Sequence, residues 1–102
     1  MDAAVSTHQV VIMDDHATFA AGVSALVNSD PDFDVQGIFQ TVADLNAHFE
    51  VTVPDVLIMD LQLGDESVTS EIRELNYRHP ELCILVITLL DSRTYVHDAI
   101  AF

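Results

Sequence analysis

Three aspartates stand where this chain could do chemistry. Asp14 and Asp15 directly follow the apolar run Gln9-Val10-Val11-Ile12-Met13, and Asp60 closes a second run, Val56-Leu57-Ile58-Met59. Aspartate is a poor strand residue and costly to bury, so two apolar strands that each stop on a carboxylate are unusual. If the strands are parallel neighbours, their C-terminal ends bring three carboxylates to one point. Open α/β sheets bind their ligands there. Such charges repel: at roughly 4 Å and an effective dielectric near 20, each pair costs about 4 kcal/mol. A divalent cation relieves this, and an all-oxygen donor set selects a hard one such as Mg²⁺. One carboxylate is then a candidate nucleophile, its weak basicity offset by the metal. Thr88 ends another apolar run and could donate a hydroxyl hydrogen bond at the same edge. The plainer alternative is that Asp14 and Asp15 cap a helix starting near Ala17, while Asp60 sits in a loop.

The elements that must position these residues alternate. The pattern predicts strands over residues 9–13, 34–39, 56–60 and 82–88. It predicts helices over 17–28, 42–49 and 67–77, and a last helix holding Tyr95, Val96, Ala99 and Ile100 on one face. Phe19, Val23, Leu26 and Val27 repeat at helical spacing in the first helix, Leu45 and Phe49 in the second, and Val68, Ile72 and Leu75 in the third. Pro31 ends the first helix and His79-Pro80 the third, because proline cannot continue a helix and disfavours helical geometry before it. Continuous apolar strands between amphipathic helices argue for a parallel sheet covered on both faces, in a doubly wound arrangement.

The chain has 102 residues, half of them hydrophobic, enough for one small domain with a real core. Its 17 Asp and Glu stand against Arg73, Arg78 and Arg93, with no lysine, for a net charge of −14. That balance opposes binding of nucleic acid by this chain alone, and of anionic membranes. No apolar stretch reaches the length of a membrane span, and residues 1–8 lack the pattern of a signal peptide. Cys83, the single cysteine, lies in the apolar run from Leu82 to Leu90 and reads as a buried small hydrophobe in a reducing cytoplasm. The five histidines (His8, His16, His48, His79 and His97) show no ligand spacing and read as surface or packing residues. His16 stands beside the acid pair, where its position alone is a weak reason to link it to phosphotransfer. Phe19, Phe33, Phe39 and Phe49 read as core.

The order of motifs resembles the receiver domain of a two-component response regulator, with the flavodoxin-like strand order 2-1-3-4-5. The matching runs are Val10-Val11-Ile12-Met13-Asp14-Asp15-His16, Pro54-Asp55-Val56-Leu57-Ile58-Met59-Asp60-Leu61, and Ile84-Leu85-Val86-Ile87-Thr88. The Asp-Asp-His triplet and Pro31-Asp32-Phe33-Asp34-Val35-Gln36-Gly37 are most similar to the LuxR/NarL-type subfamily. The resemblance implies that Asp60 accepts a phosphoryl group from a sensor histidine kinase. It implies that Asp15 binds Mg²⁺ directly, Asp14 mainly through water, and that the Gln62 backbone carbonyl completes the protein ligands. Thr88 would hydrogen-bond the phosphoryl oxygen and draw its loop along. The implied protein is a cytoplasmic switch, not a turnover enzyme.

The sequence departs from that family as well. It has no lysine to pair with the phosphoryl group, and it is expected to stop before a fifth strand and fifth helix, with no DNA-binding domain following. A missing cation slows phosphoryl transfer, because it removes stabilisation of the transferring group. The run from Leu82 to Thr88 then becomes an apolar edge, which invites a homodimer or another partner. The alternative function is therefore a degenerate, phosphorylation-independent receiver acting as a dimerisation or protein-interaction module. A phosphatase of the haloacid-dehalogenase type also uses a strand-end aspartate and Mg²⁺. It separates its two acids by one residue, whereas Asp14 and Asp15 are adjacent and followed by His16-Ala17-Thr18.

Overall fold

The computed structural model describes residues 7–60, 67–87 and 100–101. Strand β1 (His8–Met13) is followed by helix α1 (Ala17–Asn28), β2 (Phe33–Phe39), α2 (Val42–Phe49), β3 (Val56–Asp60), α3 (Ser67–Arg78), β4 (Cys83–Ile87) and a two-residue β5 (Ile100–Ala101). The sheet order is β2-β1-β3-β4-β5, with the first four strands parallel. This is the expected α/β, flavodoxin-like doubly wound arrangement. Its order reverses between β1 and β3, and the crevice at such a switch point is where ligands bind.

Alternate residues of each central strand face opposite sides. Val11, Met13, Leu57, Met59, Ile84 and Val86 form one buried layer with Leu45 and Phe49 of α2 and Ile72 and Leu75 of α3. Val10, Ile12 and Ile58 face the other side, against Ala20, with Val23 and Val27 packed around them. Full burial of each large aliphatic side chain stabilises the fold by about 1.5–3 kcal/mol. These layers hold β1 and β3 rigidly together, which fixes what their C-terminal ends present.

Local interactions set the register. Asp55, just before β3, acts as a clamp: its carboxylate accepts the Gln9 backbone N–H at 2.8 Å, and its own N–H donates to the Gln9 carbonyl at 2.9 Å. Its carbonyl accepts the Cys83 N–H at 3.1 Å, tying β1, β3 and β4 at their N-terminal ends. Thr41 caps α2 by accepting the Asp44 N–H at 3.1 Å. Opposite β1, the register of β2 jumps from Val35 to Gly37, leaving Gln36 as a bulge. A Cβ at Gly37 would come within 3.1 Å of the Phe39 ring, a tight contact that the ring would have to yield to by a few tenths of an ångström.

Three expectations are corrected. Leu26 is 73% exposed; Val23 and Val27 of the expected α1 stripe do face inward, joined by the buried Ala20. Cys83 is exposed. It opens β4 on the face that α1 covers, and α1 packs chiefly on β1 and β2. Ile100 lies in a strand, not a helix: Ile100 pairs with Val86 and Ala101 with Leu85, antiparallel. A short strand thus occupies part of the edge that sequence alone left open. The expected last helix otherwise lies outside the described residues. Among those residues, no helix is long and apolar enough to cross a membrane.

Candidate functional site

The register of β1 and β3 builds the site. Met13 pairs with Met59, so the residues that follow them, Asp14 and Asp60, emerge side by side at the C-terminal ends of the two central strands. Asp14 is 1% exposed and Asp60 is 7% exposed. Asp14 continues the sheet for one more bond, donating its N–H to the Phe39 carbonyl at 2.9 Å. Its Oδ1 accepts the His16 backbone N–H at 2.8 Å, a turn that aspartate favours because its short side chain bonds its own backbone two residues on. This turn carries the chain from β1 into α1 and leaves Asp15 half-exposed at the rim. The N-cap of α1 is His16, with no side-chain cap bond. The reading of Asp14 and Asp15 as helix caps is therefore set aside.

His16 brings a fourth group to the cluster. Its Nδ1 lies 2.9 Å from Asp15 Oδ1, 3.3 Å from Asp14 Oδ1 and 3.6 Å from Asp60 Oδ2. One ligand atom from each of Asp14, Asp15, His16 and Asp60 lies within 4.8 Å of all the others. The hydrogen bond to Asp14 raises the His16 pKa above its usual 6.5. The charge of Asp15 adds to that; desolvation opposes it, and the charges of Asp14 and Asp60 make smaller contributions upward. Sequence reasoning gave His16 a surface or packing role. Its adjacency to the acid pair was the available signal, but adjacency does not fix a side-chain direction.

The donor set suits a divalent cation. Two buried carboxylates and a third at the rim crowd negative charge into one pocket, and a buried charge is costly unless paired. Oxygen donors at this spacing match a hard ion. The structure brings together Asp14, Asp15 and Asp60. Gln62 and Thr88 lie outside the described residues.

Comparison with known proteins agrees with this geometry. The family model described as the response regulator receiver domain matches residues 10–102. The chain is 31% identical over 88 residues to the transcriptional regulatory protein DegU of Brevibacillus brevis, covering 86% of this chain and 37% of that protein. It is 34% identical over 92 residues to the DNA-binding transcriptional activator DevR/DosR of Mycobacterium tuberculosis, covering 90% of this chain and 42% of that protein. The chain thus spans about two fifths of the length of these curated relatives. Among solved structures, the isolated REC domain of RcsB from Salmonella enterica serovar Typhimurium, in the presence of phosphomimetic BeF3−, superposes with a TM-score of 0.74 at 23% identity. That match covers 85% of this chain and 65% of the RcsB domain.

Proposed function

We propose, on the premise that this chain belongs to the response regulator receiver domain family, that it is the phosphoacceptor of a two-component regulator of the LuxR/NarL type. The observation that carries this reading is the in-register end of β1 and β3, which sets the buried Asp60 beside the buried Asp14. An Asp60 oxygen attacks the phosphorus of a phosphohistidine on a sensor kinase. The new O–P bond forms as the P–N bond breaks, and the phosphoryl group stays on Asp60. Asp14, Asp15, Asp60 and the Gln62 carbonyl would hold Mg²⁺. Bound there, the ion supplies the positive charge that offsets the carboxylates and the incoming phosphoryl oxygens. The modification adds about two negative charges to an already acidic pocket. The Thr88 hydroxyl hydrogen-bonds the new group and passes the change to the segment beyond β4. The domain is a cytoplasmic switch, not a turnover enzyme. Its charge of −14 leaves DNA contacts to another part of a regulator.

The test is intact mass after incubation with acetyl phosphate and Mg²⁺, beside an Asp60→Ala control. A phosphoryl-sized gain in the parent protein and none in the control supports the reading. No gain in a folded protein removes it.

A second reading, the interaction module, draws on one observation. A cavity of about 270 Å³ opens beside α1, lined by Val10, Val27, Phe33, Val56, Ile58 and Leu85 among others. This apolar face extends across β3 toward β4, next to the edge expected to recruit a second copy. A species that stays monomeric at high concentration counts against it.

A further inference from the structure

We propose that His16 Nδ1 is itself a ligand of the divalent cation held by Asp14, Asp15 and Asp60, so that the pocket is a mixed nitrogen–oxygen site preferring a first-row transition ion over Mg²⁺. The proposal rests on the metal-binding reading above and adds a ligand and a selectivity to it. The geometry is specific. Donor atoms at roughly 2.1 Å from an octahedral ion stand about 3.0 Å apart along each edge. Nδ1 stands 2.9, 3.3 and 3.6 Å from oxygens of the three aspartates, so it meets each of them at close to the spacing of neighbouring ligands. The imidazole is not committed elsewhere as a cap, because α1 starts without a side-chain cap bond. The backbone holds it in place: the His16 N–H bonds Asp14 Oδ1 at 2.8 Å, which turns the residue over the pocket.

The chemistry follows from the donor. Mg²⁺ takes oxygen ligands and keeps several waters, so an imidazole adds little to its binding. Mn²⁺, Co²⁺ and Zn²⁺ accept imidazole nitrogen, with affinity rising along the first-row series. With Asp14, Asp15 and Asp60 in place, the nitrogen therefore sets the choice of ion and leaves Mg²⁺ as a weaker ligand of the same pocket. The nitrogen must release any proton it shares with the carboxylates, which the ion replaces at the same point.

The test titrates Mg²⁺ and Co²⁺ calorimetrically into the 102-residue protein and into His16→Ala. The visible spectrum of bound Co²⁺ is recorded as an independent report of nitrogen ligation. His16 is exposed and makes no side-chain cap, so its replacement leaves the fold intact, which circular dichroism checks. The expected result is tighter Co²⁺ than Mg²⁺ binding in the parent protein. In His16→Ala, Co²⁺ affinity falls by roughly tenfold to a hundredfold, the scale on which groups that tune a metal site act, with a changed spectrum and Mg²⁺ affinity within about threefold of the parent value. Equal changes for both ions, a rise in both, or an unchanged Co²⁺ spectrum would overturn the assignment and make His16 only a counter-charge that the ion displaces. If neither ion binds the parent protein, the metal-binding reading falls with it. If both ions bind normally and His16→Ala changes nothing, only the His16 ligand is lost.

Discussion

Replacing Asp14 by asparagine isolates the electrostatic load of the site. The amide side chain keeps the oxygen that accepts the His16 N–H at 2.8 Å and very nearly the same volume, so the turn into α1 survives. What disappears is one negative charge from a residue only 1% exposed. Oxygens of Asp14, Asp15 and Asp60 lie within 4.8 Å of one another. At that separation and an effective dielectric near 20, each repulsion is about 3.5 kcal/mol before screening. Asp15 is half-exposed, so its share is largely screened, and Asp60 accounts for most of what remains. The contact with the solvent-facing His16 ring, lost in part, takes some of the gain back. In metal-free buffer, Asp14→Asn is therefore expected to stabilise the fold by about 1 kcal/mol, the residue of two opposing contributions each several times that size. For a domain of this size, that is roughly 4–8 °C in Tm. Urea unfolding followed by circular dichroism measures it. An unchanged slope with a higher midpoint is the expected outcome, and the further rise that Mg²⁺ gives the parent protein should shrink in the variant. A stability lower by about 1 kcal/mol or more, at unchanged slope, would refute the reasoning, because the carboxylate would then be net stabilising where it stands.

Three further outcomes are expected. His16 should titrate above 6.5 by NMR, and Asp15→Asn should lower that value; its contribution to stability is present in full below the unfolded value of 6.5 and lost as pH rises through the raised folded one, so His16→Ala should flatten the stability profile in that window. Leu57→Ala, in the middle of the sheet and fully buried, should cost about 2–5 kcal/mol in urea unfolding, whereas Leu26→Ala, 73% exposed, should cost well under about 1 kcal/mol. Cys83 should react with a thiol reagent in the native protein, without the delay that waiting for unfolding would impose.

Elements with strong local punctuation were legible from sequence. The helices over 17–28 and 42–49 and the strand over 56–60 stand at the predicted bounds, because each is framed by a turn residue, a cap or a proline. β1 begins one residue earlier, at His8, which is polar and enters the sheet only because it pairs with Phe33 and donates to the Asp32 carbonyl at 2.8 Å. That is a tertiary decision with no local pattern. Cys83 and Leu26 were misjudged for a related reason. An apolar side chain in an apolar run is buried only if another element lies over it, and hydropathy does not say how far α1 reaches across the sheet. β5 left no trace either: two residues that pair with Val86 and Leu85 carry too little sequence to mark a strand. The three aspartates were legible because their position at strand ends contradicts strand propensity. His16 was not, because a ligand set is recognised by where side chains converge and only the turn made by Asp14 determines that.

The same turn bears on the proposed role of the pocket as a switch. Asp14 is bound by the sheet on one side, through the Phe39 carbonyl, and by the helix start on the other, through the His16 N–H. It cannot swing away from Asp60 when charge is added, and Asp60 is held by the pairing of Met59 with Met13 and of its own backbone with Ile87. Repulsion in such a site is not relieved by moving carboxylates. It is relieved by a cation entering or by a proton shared with His16. The packed layers beneath the strands close off any response of the sheet, since cores do not deform continuously. A change of charge at Asp60 would therefore not be absorbed within the sheet, because β1 and β3 are held by the layers packed on both faces.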